Sequence, residues 1–198
     1  MAIILLVIKM YIDKTKLKNS ITQWDDKIRN YSLPEWNQLP AIDLYMDQVL
    51  SLLEQYLSIY YETNDNKKFI TASMINNYVK LNIIPAPKKK KYSKEHIAYL
   101  LIVCTLKQTL DMATIKKILT VDNNNENIKD LYTSFVQNQN KSFSYVSENV
   151  IKVANPLIEN EGDNPKRIND LILQVATSAN AFKILSEKIT NLPNEENI

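Results

Sequence analysis

Hydrophobic residues recur along most of the chain at the three- and four-residue spacing of amphipathic helices, and Pro and Asn mark where that spacing stops. Ile12, Leu17, Ile21, Trp24 and Ile28 fall on one face of a first helix. Leu33-Pro34-Glu35-Trp36 and Leu39-Pro40 then predict an extended connector, with Trp24 and Trp36 as core or connector anchors. A second helix is expected over about 41–60, with Ile42, Met46, Val49, Leu50, Leu53 and Leu57 as its stripe. Asp43 sits in its first turn, where the helix dipole favours negative charge. A polar loop from Glu62 to Lys68 follows. Thr71 or Ser73 then caps a short helix over about 72–81, which Pro85 and Pro87 prevent from continuing. Ser93 caps the next helix, which carries Ile97, Leu100, Leu101, Cys104 and Gln108. Another follows Asp111, with Ile115, Ile118 and Leu119.

Beyond it, Asp122-Asn123-Asn124-Asn125-Glu126 reads as a solvated turn. Two helical patterns come next, one through Ile128, Leu131, Tyr132 and Phe135, the other through Tyr145, Val146, Val150 and Val153, with Pro156 ending it. The last element is a long helix over about 166–190, where Ile168, Ile172, Val175, Ala179, Phe182 and Ile189 alternate in steps of four and three for about three heptads. Such a seam serves either packing within a bundle or the pairing of two copies. The tail from Asn191 is expected to fray. Three parts follow: an N-terminal arm and helix (1–40), a central helical domain (41–120) and a C-terminal helical region (121–198).

Composition narrows the class. With 198 residues, 45% of them hydrophobic, the chain has enough for one or two domains with a sizeable core. Gly162 is the only glycine, which excludes GxGxxG turns, P-loops and nucleophile elbows and argues against a large β-sandwich. An all-α protein is therefore expected. Cys104 and His96 are each the only residue of their kind, so no intramolecular disulfide forms and zinc sites of the usual Cys/His type are excluded by count. Cys104 falls on an apolar stripe and reads as a buried structural thiol in a protein of the reducing cytoplasm. The run Met1 to Ile8 is too short to span a bilayer, which takes roughly 20 apolar residues. It is either a strand or arm packed on the body, or an extension ahead of a true start at Met10. Asp43 and Asp47, four residues apart, read as charges at a helix N-terminus rather than an acid–base pair. Nothing composes a nucleophile, base and oxyanion hole, so neither an enzyme nor a cofactor is expected.

Net charge is only +2, so local patterning carries the electrostatic information. On the 72–81 helix, Met74, Ile75, Tyr78, Val79 and Leu81 cluster as an apolar face, while Ser73, Asn76, Asn77 and Lys80 share the other. Asn pairs bidentately with adenine, and Ser and Lys bind bases or phosphates. Lys88, Lys89, Lys90, Lys91 and Tyr92 follow as a basic segment suited to phosphates. The plain alternative is a solvated helix face beside an exposed lysine loop. His96 is expected on the surface next to this segment.

The order of these parts is that of a winged helix-turn-helix. Met74-Ile75-Asn76-Asn77-Tyr78-Val79-Lys80-Leu81-Asn82-Ile83-Ile84-Pro85, followed by Lys91-Tyr92-Ser93-Lys94-Glu95-His96-Ile97, resembles the recognition helix and wing of MerR-type regulators. Ile115-Lys116-Lys117-Ile118-Leu119 is similar to the stretch closing their head. MerR-type proteins carry Arg and an aromatic where this chain has Asn76 and Asn77, and a helix-ending Gly where it has Asn82. A closer resemblance is to a bacterial family catalogued as domain of unknown function 1836. It rests on Leu39-Pro40, on Ile42-Asp43-Leu44-Tyr45-Met46-Asp47-Gln48-Val49, on Ile70-Thr71 through Lys80 and on Lys89-Lys90-Lys91-Tyr92-Ser93. The resemblance implies a MerR-like head over about 36–120 but no activity; the C-terminal bundle or dimerisation region rests on the heptad spacing alone. The expectation is a cytoplasmic, non-membrane DNA-binding regulator. Ser73, Asn76, Asn77 and Lys80 would read double-stranded DNA, Lys88–Tyr92 would form the wing, and 166–190 would join a homodimer. The alternative is a protein-interaction module on the same scaffold.

Overall fold

A computed structural model of the protein describes residues 14–60, 69–120, 128–159 and 165–192. Among these, the regular structure is all helical, as the composition implies. The helices are α1 (Lys14–Asn30), α2 (Met46–Tyr56), α3 (Ala72–Lys80), α4 (Lys94–Leu106), α5 (Met112–Thr120), α6 (Ile128–Glu159) and α7 (Pro165–Thr190). Single 3-10 turns lie at Trp36–Gln38 and Ser58–Tyr60. The N-terminal run and Ile12 lie outside the described residues. No helix among the described residues is long and apolar enough to cross a membrane.

The chain divides into two units, Met1–Asn30 with Ser142–Phe182, and Tyr31–Lys141 with Lys183–Ile198. The division falls inside α6 and α7.

The larger unit is organised around α4. Ile97, Ala98, Leu100, Leu101, Ile102, Val103 and Cys104 are all buried, so this helix has apolar neighbours around its whole circumference, as a central core helix must. Val49, Leu53 and Leu57 of the α2 region, Ile75 and Tyr78 of α3, Ile115 and Leu119 of α5, and Tyr132 and Val136 of α6 complete one cluster. Tyr132 is buried and its hydroxyl donates to the Pro34 carbonyl at 2.7 Å, which ties the connector to α6. Trp36 stands edge-on to Tyr132 at 6.2 Å.

Two elements depart from the sequence reading. The helix expected over 41–60 starts only at Met46, and Ile42, placed in its stripe, is 71% exposed. The reason is a pairing distant in sequence: the Leu44 amide and carbonyl both bond to Tyr92, at 2.9 and 2.8 Å, which holds residue 44 extended. Gln48 then accepts the Tyr45 amide at 2.9 Å and starts the helix there. Asp43 thus precedes the helix and shares no helical face with Asp47, which occupies the first turn. The two patterns expected before and after residue 140 form one helix of 32 residues, and Pro156 lies inside it rather than ending it. At the C-terminus, Lys117 donates to the Asn191 carboxamide at 2.5 Å, and the rest of the tail, 193–198, lies outside the described residues.

In the smaller unit, the α1 carboxylate of Asp25 accepts from Ser147 of α6 and from Arg29 at 2.9 Å. Burial pushes the Asp25 carboxyl up, but the Ser147 hydroxyl and the Arg29 guanidinium outweigh it and hold the group below its ordinary 3.8.

Two outcomes follow from these packings. Leu101→Ala leaves a hole beside the central helix and should lower unfolding stability by about 2–5 kcal/mol in a urea titration. Because the folded-state pKa of Asp25 is depressed, its contribution is present above pH 3.8 and is lost as pH falls through the lower, folded value. The melting-temperature difference between wild type and Asp25→Ala should therefore be full near neutrality and shrink below pH 3.8.

Candidate nucleic-acid interface

Helix α3 is short, and three local devices fix its orientation. The Thr71 hydroxyl accepts the Met74 amide at 3.3 Å as N-cap. Ile75 and Tyr78 are buried and anchor one face. At the C-terminus, Asn82 takes the left-handed conformation at φ 52°. The Ile83 amide then reaches the Tyr78 carbonyl at 2.9 Å and the Asn82 amide reaches Val79 at 3.0 Å. This is a Schellman cap with Asn in the place usually taken by Gly, and its buried Ile83 packs under the helix end. Lys116 adds a bond to the Leu81 carbonyl at 2.9 Å. With the apolar side pinned, Ser73, Asn76, Asn77 and Lys80 are all exposed.

The chain then runs through Pro85-Ala86-Pro87 into a hairpin closed by a Lys88–Lys91 bridge, the Lys91 amide donating to Lys88 at 2.9 Å. Its two central residues, Lys89 and Lys90, have φ of 50° and 64°. Two consecutive positive values are the signature of the tight hairpin turn that normally takes Asn-Gly, because a Cβ is disfavoured there. Lys88, Lys89 and Lys90 are exposed, and Lys91 is half-buried with its ammonium 5.2 Å from the centre of the Tyr45 ring.

Tyr92 and His96 are not where the sequence reading puts them. Tyr92, proposed there as a phosphate contact, is 3% exposed: its backbone pairs with Leu44 and its ring lies edge-on to His96 at 5.6 Å. A side chain sunk in the core presents nothing to a phosphate, so Tyr92 anchors the hairpin instead. His96, expected on the surface, is 7% exposed. Its Nδ1 accepts the Ser93 amide at 3.1 Å, so the ring proton sits on Nε2, which donates to the Ala86 carbonyl at 3.3 Å. One imidazole thus caps α4 and ties down the proline segment before the hairpin.

Residues 34–135 match the family described as Domain of unknown function (DUF1836). The chain belongs to this family. No curated protein and no solved structure matches it. The DUF1836 segment takes in α2 to α5 and the first turns of α6. From Phe69 to Lys94 this DUF1836 domain carries six lysines and no carboxylate. Cys104 is fully buried in α4, and burial pushes its thiol up to about 12, which leaves it unreactive.

Sequence reasoning missed the surface made by Ile42 and Tyr45 next to Lys91. No local pattern marks it, because residue 44 is held extended by its pairing with Tyr92, which is distant in sequence. The hairpin strain yields a direct check. Lys89→Asn with Lys90→Gly keeps the turn and relieves both left-handed lysines, so the melting temperature should rise, by the equivalent of about 1–3 kcal/mol.

Proposed function

We propose that this protein is a non-enzymatic, DNA-binding transcriptional regulator with a MerR-like winged helix-turn-helix head. Helix α3 enters the major groove, with Asn76 and Asn77 toward base edges and Ser73 and Lys80 toward bases and backbone. Lys88 to Lys91 form the wing over flanking phosphates. One observation carries the reading: α3 is clamped by Ile75 and Tyr78 so that its carboxamide face is outward, within a lysine-bearing stretch free of carboxylates. Backbone conformation adds support, because two lysines held in a strained turn project charge from a fixed loop rather than a loose one.

A second reading, docking of a protein partner, draws on Ile42 and Tyr45, both exposed beside the hairpin and flanked by the exposed carboxylates of Asp43 and Asp47. One experiment separates the two. DNA fragments selected from a random pool should shift the protein in gels at low salt. Asn76→Ala/Asn77→Ala should then lose about tenfold in discrimination between selected and random DNA. Lys89→Ala/Lys90→Ala should weaken binding to all sequences and flatten the salt dependence by about 2 in log–log slope. No binding at low salt, or binding that ignores both pairs of substitutions, would sink the DNA reading and leave the protein-partner surface.

A further inference from the structure

The connector from Ser32 to Asn37 and the first half of α6 line a cavity of about 340 Å³, inside the unit that contains Tyr31–Lys141. Small-molecule sites measure roughly 300–1,000 Å³. Two contacts show that the connector runs antiparallel to α6. Asn140 donates to the Ser32 hydroxyl at 3.2 Å, and the Tyr132 hydroxyl donates to the Pro34 carbonyl at 2.7 Å. Leu33 is buried, and the Glu35 amide donates to the Gln38 side chain at 2.7 Å, so Glu35 and Trp36 stand on fixed backbone. On the opposite wall Lys129, Thr133 and Gln137 recur every four residues and share one stripe of α6. Both walls are thus set by packing before any ligand arrives.

We propose that this cavity binds a free α-amino acid with an apolar side chain. Its carboxylate meets Lys129, its ammonium meets Glu35, and its side chain lies against the Trp36 ring. Charge is the first argument. Glu35 and Lys129 line the same cavity, both are exposed, and among the described residues neither has an ion-pair partner, the other included. Opposite charges that share a cavity without closing on each other match a small molecule that carries both. A phosphate-bearing ligand would be repelled by Glu35, and a neutral sugar would leave both charges unmatched.

The position of Lys129 is the second argument. It lies in the first turn of α6, where the helix dipole disfavours a cation, so helix stability does not account for it. The same dipole favours a carboxylate arriving there. Hydrogen-bonding capacity is the third. The Thr133 hydroxyl is spent on the Lys129 carbonyl at 2.7 Å, but the carboxamides of Asn37 and Gln137 have no partner among the described residues. They offer donors to a carboxylate and acceptors to an ammonium. The platform is the fourth. The half-buried Trp36 ring is steadied by Tyr132, edge-on at 6.2 Å, and by the Lys94 ammonium, 5.6 Å from its centre. An apolar or aromatic side chain gains most from such a surface. Binding here neither requires DNA binding nor excludes it.

Trp24 and Trp36 are the only tryptophans, so Trp24→Phe leaves Trp36 as the sole indole emitter. Titration of that variant with L-phenylalanine or L-leucine should shift the Trp36 emission and saturate, and the same amino acids should raise the melting temperature of the wild type. Lys129→Gln and Glu35→Gln, at exposed positions, should leave the melting temperature without ligand unchanged and each raise the dissociation constant about tenfold. Phenylalaninamide, which lacks the carboxylate, and phenylpropionate, which lacks the ammonium, should each bind about tenfold more weakly than phenylalanine. These losses should pair. Lys129→Gln should abolish the preference for phenylalanine over its amide and keep the preference over phenylpropionate, and Glu35→Gln should do the reverse. If neither amino acid at about 10 mM changes the Trp36 emission or the wild-type melting temperature, the proposal is overturned. Binding in which neither substitution removes its matching preference overturns it equally.

Discussion

The larger unit depends on α4 having no solvent-facing stripe. A helix buried on every side forces each neighbour to turn its own apolar face toward it, and whatever is polar on those neighbours points outward. Helix α3 shows this most clearly: Ile75 and Tyr78 join the cluster, and Ser73, Asn76, Asn77 and Lys80 take the exposed positions that remain. The candidate interface is thus a by-product of core packing made precise by end caps. Thr71 and Asn82 fix where the helix begins and stops, and hence which residues share its outer face.

The same constraint explains the hairpin. Tyr92 is drawn into the core next to His96, and its backbone pairs with Leu44. With one end of the four-lysine segment anchored there and the other held through Ala86, the chain has few residues in which to reverse. It closes through two left-handed lysines, a conformation their side chains resist. The tight geometry is imposed by the anchors and not favoured by the turn residues themselves.

What is legible in the sequence is local. Periodicity and caps locate α3, α4 and α5 closely, and Cys104 reads correctly as buried because it falls on an apolar stripe. Asn82 is recognisable as able to take the left-handed position that ends α3. What escapes is non-local. Nothing near Leu44 announces that it will pair with Tyr92, so spacing assigns Ile42 to a helix that begins four residues later. His96 sits in a basic, polar context, and only the approach of Ala86 from the preceding segment buries it. Tyr92 follows four lysines and groups with them by sequence, although its burial is what positions them. Pro156 reads as a stop, but one missing amide does not prevent another turn of α6. For α7 the heptad pattern is plain, while the choice between bundle packing and pairing of copies depends on exposure, which spacing alone does not carry.

The imidazole that links α4 to Ala86 belongs to the only histidine in the chain. Its two carbon-bound ring protons therefore give resonances in the NMR spectrum that overlap with no other histidine, without isotopic labelling. Their shifts are set by the adjacent Tyr92 ring and by the two hydrogen bonds at the nitrogens. The protein thus carries a built-in spectroscopic probe at the joint on which the lysine segment is mounted.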